Sequence, residues 1–154
     1  MDERNVNVEA VAEDAAARFR AGASCAQAVL SACGAALGRD PEEMMRLGSG
    51  LGAGMGGLRE VCGAVTGMAA VIGLRKGQAE PMEQKTKAAL YKTVAEAIGE
   101  FDATFGTHNC KALLQKASIM KQAGVAPEAR SEKYYAERPC AAFVRFCAER
   151  AMEA

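Results

Sequence analysis

The chain has 154 residues, of which half are apolar and a quarter are charged, and this composition is typical of a globular domain with one sizeable core. Its 19 basic and 19 acidic side chains balance, so no basic excess indicates a nucleic acid or an anionic membrane as a partner. Only 5% of the residues are aromatic and none is Trp, which favours helix packing through small residues over a β-sandwich. We therefore expect a single compact all-α domain over residues 1–154.

The compartment can be predicted from the start of the chain and from its apolar runs. Residues 1–5 lack the basic start and the apolar stretch of a signal peptide. No apolar run reaches the length of a membrane span. These features predict a cytoplasmic protein, in which thiols stay reduced unless they have a function. The six cysteines are then expected to be catalytic, metal-binding or buried rather than a disulfide framework.

Apolar spacing and capping residues predict about seven helices. The first is expected over residues 7–21, where apolar and charged residues recur at helical spacing. A second is expected to begin after Ser24, because Ser24 and Gln27 form the pattern of a capping box. Pro41 is suited to the first position of a short third helix.

A glycine-rich loop is expected over residues 48–57, where six of ten residues are glycine. Part of it matches G-x-G-x-x-G, but the preceding segment is predicted to be helical and no parallel-sheet pattern follows, which disfavours dinucleotide binding. No Lys-Ser/Thr pair ends the run, so a phosphate-binding P-loop is disfavoured as well. We expect instead that the backbone N–H groups of Gly54, Gly56 and Gly57 contact thiolates or a bound cofactor.

The second half of the chain is expected to be helical throughout. One helix is predicted over residues 58–74, and the longest over residues 81–105. Asn109 is a suitable cap for a short helix, and Pro127 and Pro139 are expected to open the last two.

Four of the six cysteines lie where these helices are expected to begin: Cys25, Cys62, Cys110 and Cys140. The free N–H groups and the positive dipole end of a helix start favour a thiolate, which is the form that attacks disulfides and binds metals. No C-x-x-C pair is present, so a shared site has to be assembled by the fold. Cys33 and Cys147 instead lie in mid-helix on apolar faces, and we expect them to be core residues.

Other polar residues near these cysteines have weaker signals. His108 is the only histidine and lies two residues before Cys110, where it could supply a ligand or a proton, or pair with a thiolate. A loop histidine in water or in a capping contact is the slightly favoured interpretation. Glu60 could act as a base, although a Glu in a first helical turn is ordinary. Tyr134 and Tyr135 are interpreted as core residues.

The cysteine pattern resembles a family of redox-active proteins named for the pattern C-GCAxxG-C-C, over the stretch from Cys25 to Cys140. Cys25 corresponds to the first cysteine of the family, and Cys110 and Cys140 correspond to the third and fourth. Residues 62–67 (CGAVTG) correspond to its central motif, with the order Cys-Gly-Ala in place of Gly-Cys-Ala. The resemblance implies a small helical redox or metal-binding protein. The split-Soret type of cytochrome resembles this family in part, which suggests iron–sulfur binding, although no haem-attachment motif is present here.

Three functions follow from these observations. The first is a four-thiolate site that binds an iron–sulfur cluster or another thiophilic metal such as zinc, used in electron transfer or sensing, or structurally in the case of zinc. The second is a thiol–disulfide protein that uses two of the four cysteines without metal. The third is a helical interaction module with inert buried cysteines. An electron-transfer partner protein and a homo-oligomer are both compatible with the first function.

Overall fold

The computed structural model describes residues 5–119, 123–124 and 126–154. Residues 1–4, which contributed to the prediction about a signal peptide, lie outside the described residues. The described residues form eight α-helices and no strand, which confirms the all-α prediction and raises its count from about seven. The helices are α1 (Val8–Arg20), α2 (Cys25–Ala36), α3 (Pro41–Gly48), α4 (Gly63–Lys76), α5 (Gln84–Phe105), α6 (Cys110–Lys116), α7 (Glu132–Glu137) and α8 (Cys140–Glu153). None of these helices is long and apolar enough to span a bilayer.

Side-chain caps begin the helices near the N-terminus as predicted. The Ser24 hydroxyl accepts the N–H of Gln27 at 3.2 Å, and the Gln27 side chain accepts the N–H of Ser24 at 3.0 Å, so the capping box of α2 is complete. Asp40 caps α3 by accepting a backbone N–H at 3.0 Å, which leaves Pro41 as its first residue. These bonds satisfy donors that a helix start otherwise leaves unpaired.

Two of the predicted helices begin later than expected. The helix predicted over residues 58–74 begins at Gly63, because Arg59 has a left-handed backbone (φ 58°) and the residues after it pair with another segment. The helix predicted over residues 81–105 begins at Gln84, since the backbone just before it is extended.

Pro127 does not open a helix, contrary to the prediction. The Ser131 hydroxyl accepts the N–H of Tyr134 at 3.2 Å, and this cap begins α7 at Glu132. Pro127 lies instead in an irregular segment that lines a cavity described below. Helix α7 therefore has only six residues, and the described residues just before it form no helix.

Helix α2 is at the centre of the fold and packs against α1, α3, α4 and α8. Helix α8 packs against α1 and α4 as well, so α2, α4 and α8 form a common core. Cys33 and Cys147 are both fully buried in this core, and the Cys33 thiol donates to the Ala148 carbonyl at 3.8 Å. The largest fully buried side chains are Phe19, Phe101, Leu30, Met68 and Ile72.

Candidate thiol site

Four helix starts converge on one cavity of about 330 Å³. Cys25, Cys110 and Cys140 are the first residues of α2, α6 and α8, and Cys62 is the N-cap of α4. All four cysteines line the cavity, whereas the two core cysteines are not among its described lining residues. The fold therefore brings together the four cysteines that the sequence analysis singled out. Gly54, Gly56 and Gly57 line the same cavity.

A short backbone pairing ties the start of α4 to the start of α6. Val61 and Asn109 form an isolated antiparallel bridge. The N–H of Cys62 donates to the His108 carbonyl at 2.8 Å, and the N–H of Cys110 donates to the Glu60 carbonyl at 2.6 Å. Each cysteine donates its own backbone N–H across this pairing. The backbone therefore fixes the relative position of Cys62 and Cys110 without any contact between their side chains. No sequence pattern predicts so short a backbone pairing.

Close packing ties the start of α4 to the start of α2. A Cβ atom at Gly63 would lie 3.1 Å from the backbone nitrogen of Ala26 and 3.2 Å from the Leu51 carbonyl oxygen. Such contacts are tighter than those that most side chains make, so glycine lets α4 begin directly against α2. This approach brings Cys62 to the same cavity wall as Cys25.

The glycine loop has an unusual backbone. Five consecutive residues have positive φ angles: Ala53 (53°), Gly54 (69°), Met55 (69°), Gly56 (58°) and Gly57 (80°). A left-handed backbone costs about 1–2 kcal/mol at a non-glycine residue, so Ala53 and Met55 are strained. The loop is closed by the N–H of Arg59, which donates to the Ala53 carbonyl at 3.0 Å, and by the N–H of Glu60, which donates to the Gly54 carbonyl at 2.9 Å.

Two of the four thiols touch each other. The Cys25 thiol donates a hydrogen bond to the Cys140 sulfur. This bond raises the pKa of Cys25 well above its usual value, and burial raises it further. The same bond lowers the pKa of Cys140 to about 7, and the guanidinium groups of Arg138 and Arg130 act in the same direction against the effect of burial. Cys140 is therefore the thiolate of this pair.

The other two thiols favour the protonated form. Burial raises the pKa of Cys62 to about 12, although the N–H groups of Val65 and Ala64 at the start of α4 oppose this rise. Burial also raises the pKa of Cys110, against the opposing effect of Arg59. The expectation that a helix start would favour a thiolate at all four cysteines is therefore wrong for three of them in the free protein. At Cys62 and Cys110 the loss of water around the sulfur outweighs the groups that favour a thiolate, and at Cys25 the hydrogen bond to Cys140 is the larger cause.

Arg59 reaches the cavity from the end of the glycine loop. Its Nη1 donates to the Cys110 sulfur at 3.8 Å. Its Nε is buried and has no hydrogen-bond partner among the described residues. A buried N–H without an acceptor costs about 1–3 kcal/mol.

Two more arginines stack on a tyrosine at the cavity wall. The guanidinium carbons of Arg130 and Arg138 lie 4.6 Å and 4.3 Å from the centre of the Tyr134 ring. Arg138 is buried and pairs with Glu128. The described lining residues include three arginines and one carboxylate, that of Glu128. The cavity wall therefore carries an excess of positive charge.

These cationic residues were missed by the sequence analysis, which interpreted Tyr134 as a core residue. A local signal was available, because Arg59 lies three residues before Cys62 and Arg138 lies two residues before Cys140. An arginine just ahead of a helix-start cysteine can reach that cysteine or a neighbouring one. Arg130 had no comparable signal, since its position depends on how the segment before α7 crosses the surface.

The side chains of His108 and Glu60 do not contribute to the thiol site. The His108 Nδ1 lies 2.9 Å from both carboxylate oxygens of Asp102, and His108 is not among the described residues that line the cavity. This agrees with the slightly favoured interpretation of a loop histidine. The Glu60 side chain is exposed, and only its backbone contributes to the site.

The thiols do not form a ready site for one metal ion. Within the part of the chain that the structure describes, no group of three or more His, Cys, Asp or Glu side chains is arranged so that it could hold an ion. All four cysteines nevertheless line the same cavity.

A family model described as "Putative redox-active protein (C_GCAxxG_C_C)" matches residues 23–154. The match covers most of the chain and includes helices α2 to α8. The chain belongs to this family. The members are described as redox-active, and the four cavity cysteines follow the order of the family's cysteine pattern. Neither the comparison with curated proteins nor that with solved structures gave a match.

Proposed function

We propose that this protein binds an iron–sulfur cluster through Cys25, Cys62, Cys110 and Cys140 and acts in one-electron transfer or in redox sensing. The observation that carries this proposal is the convergence of four cysteines, from four helix starts, on one cavity lined by three arginines. Thiolates are the usual protein ligands of iron–sulfur clusters. Membership in a family described as redox-active supports the same assignment.

The cavity suits a cluster better than a single ion. A tetrahedral zinc site needs each sulfur at about 2.3 Å from one centre, and no three ligands of the described residues are arranged for an ion. A cluster has several metal atoms and inorganic sulfides between its ligands, so its cysteines can lie around a cavity. The cavity volume of about 330 Å³ leaves room for a group of several atoms.

The charges and donors of the cavity wall also fit a cluster. An oxidised cubane cluster with four thiolates is a dianion, and the three guanidinium groups less the Glu128 carboxylate leave two positive charges among the described lining residues. The Arg59 Nη1 also donates to the sulfur of Cys110, one of the proposed ligands. These groups offset the loss of water around a buried anion.

The cluster would supply one-electron chemistry, and the chain would supply its ligands and its electrostatic surroundings. Metal binding requires the raised pKa values of Cys25, Cys62 and Cys110 to be overcome, which is the ordinary consequence of thiolate coordination. An electron-transfer partner protein is part of this proposal, and a homo-oligomer is compatible with it.

Anaerobic reconstitution with iron and sulfide tests the proposal. We expect visible absorption, bound iron and acid-labile sulfide per chain in comparable amounts, and a signal in electron paramagnetic resonance on reduction or oxidation. Colourless protein that retains no iron under anaerobic conditions would reject the cluster. A stoichiometric retention of zinc with no labile sulfide would instead assign a zinc site.

A second candidate function is favoured by the contact between Cys25 and Cys140. The Cys140 thiolate would attack a disulfide of a partner, forming a mixed disulfide and releasing one partner thiolate. Deprotonated Cys25 would then attack the Cys140 sulfur, forming the Cys25–Cys140 disulfide and releasing the second partner thiolate. The partner gains two electrons, and the pair loses the same two electrons and the proton of Cys25.

Disulfide mapping of metal-free protein separates the two functions. Thiol–disulfide chemistry predicts reversible oxidation of the Cys25–Cys140 pair at a defined potential, with Cys25→Ser and Cys140→Ser inactive. It also predicts that Cys62→Ser and Cys110→Ser keep this reaction. Cluster binding predicts that all four substitutions reduce the iron content.

A further inference from the structure

Arg59 lines the cavity, and its guanidinium contacts one of the four cysteines. Its Nη1 donates to the Cys110 sulfur, and its Nε is buried without an acceptor among the described residues. Arg138 differs, because its guanidinium has the Glu128 carboxylate as a partner. Arg59 thus differs from Arg138 in that no carboxylate of the described residues pairs with its charge.

The backbone holds Arg59 in place from both sides. Its N–H donates to the Ala53 carbonyl at 3.0 Å, and its carbonyl accepts the N–H of Lys111 at 3.2 Å. The residue is left-handed, with φ 58°, which an arginine adopts only where its surroundings enforce it. The glycine loop and the first turn of α6 therefore fix where this side chain begins, and the guanidinium is presented at the cavity rather than in water.

We propose that Arg59 is a positioning residue that sets the reduction potential of the bound cluster, through its positive charge and the hydrogen bond from its Nη1 to the Cys110 sulfur. This inference rests on the proposed cluster. Reduction adds negative charge to the cluster and its ligands, so a positive charge and an N–H donor stabilise the reduced form more than the oxidised form. Arg59 therefore raises the potential.

Two substitutions separate the charge of Arg59 from its hydrogen bonds. Arg59→Met removes both while keeping an unbranched side chain of moderate length. Arg59→Lys keeps the charge but loses the guanidinium that donates to the Cys110 sulfur. Arg39→Met is the matched control, since Arg39 is exposed beyond the far end of α2, which at twelve residues is about 18 Å long.

The experiment is a redox titration of the reconstituted wild type and the three variants, followed by visible absorption, with iron counted per chain. We expect the potential to fall in the order wild type, Arg59→Lys, Arg59→Met, with Arg39→Met equal to wild type. The expected change for Arg59→Met is about tenfold in the equilibrium constant of reduction, which is about 59 mV for one electron.

Each outcome decides the proposal. Equal potentials in wild type and both Arg59 variants, at equal iron content, would overturn it while leaving the cluster intact. If Arg59→Met does not retain iron, the comparison of wild type with Arg59→Lys decides. Loss of iron from both variants, with the helical circular dichroism unchanged, would assign Arg59 to retention of the cluster and overturn its role in the potential. Absence of iron and sulfide from wild type would overturn the proposed function as well.

Discussion

The thiols of Cys25 and Cys140 share a hydrogen bond although they lie near opposite ends of the chain. Each is the first residue of its helix, and α2 and α8 pack against each other along the core. The contact therefore depends on the packing of two long helices rather than on a local loop. The same packing brings the positive ends of two helix dipoles to one point, where they favour negative charge on sulfur.

Serine substitutions should divide the six cysteines into two groups. Cys25→Ser, Cys62→Ser, Cys110→Ser and Cys140→Ser should each lose most of the bound iron, because serine is a harder ligand and stays largely protonated. Cys33→Ser should keep its iron and lose about 1–3 kcal/mol of unfolding free energy, since it places a hydroxyl in the core. Iron analysis and urea denaturation of all five variants check this. A Cys33→Ser variant that loses iron while Cys62→Ser retains it would contradict the assignment.

Alkylation of the metal-free protein should be fastest at Cys140 near neutral pH. Its pKa of about 7 keeps much of it as thiolate there, so its rate should rise with pH and level off above about pH 7. The rate at Cys62 should keep rising through the same range, because its pKa is about 12. Cys33 and Cys147 should react slowest, since both are fully buried. Mass spectrometry of timed samples gives each rate, and a Cys33 that reacts first would be inconsistent with this arrangement.

The glycine loop should tolerate alanine at Gly56 better than at Gly54. Both have positive φ angles, so either substitution should lose about 1–2 kcal/mol from backbone strain. A Cβ atom at Gly54 would in addition lie 2.6 Å from the backbone nitrogen of Glu60, whereas none of the surrounding atoms comes within 4 Å at Gly56. Urea denaturation should therefore show a larger loss for Gly54→Ala. Equal losses would mean that the loop is not packed as described.

Removal of the proposed cluster should destabilise the fold. A group bound by four helix starts binds the folded chain and not the unfolded one, which adds about 2.7 kcal/mol at a free concentration a hundredfold above the dissociation constant. The urea midpoint of reconstituted protein should exceed that of metal-free protein under anaerobic conditions. Cys62→Ser is the control, and its midpoint should not respond to iron and sulfide. A wild type whose midpoint is unchanged by reconstitution would argue against a buried cluster.

Local sequence was enough to predict where most helices begin and which cysteines belong together. The Ser24–Gln27 capping box and the proline at residue 41 act within one helical turn, so their effect is readable without the fold. The apolar spacing around Cys33 and Cys147 likewise predicted two core residues, and both are fully buried. The late start of α4 was not predictable in this way, because the pairing of Val61 with Asn109 joins segments far apart in the chain.

Only the tertiary structure decided the chemistry of the cavity wall. The pKa of each thiol depends on burial and on side chains from other helices, so four similar helix starts give one thiolate and three protonated thiols. The roles of Arg59 and Arg130 depend on a left-handed backbone and on an irregular segment before α7, neither of which has a periodic pattern. Helix caps are local hydrogen bonds that the sequence itself determines, whereas desolvation and charge pairing are set by whatever the fold places nearby.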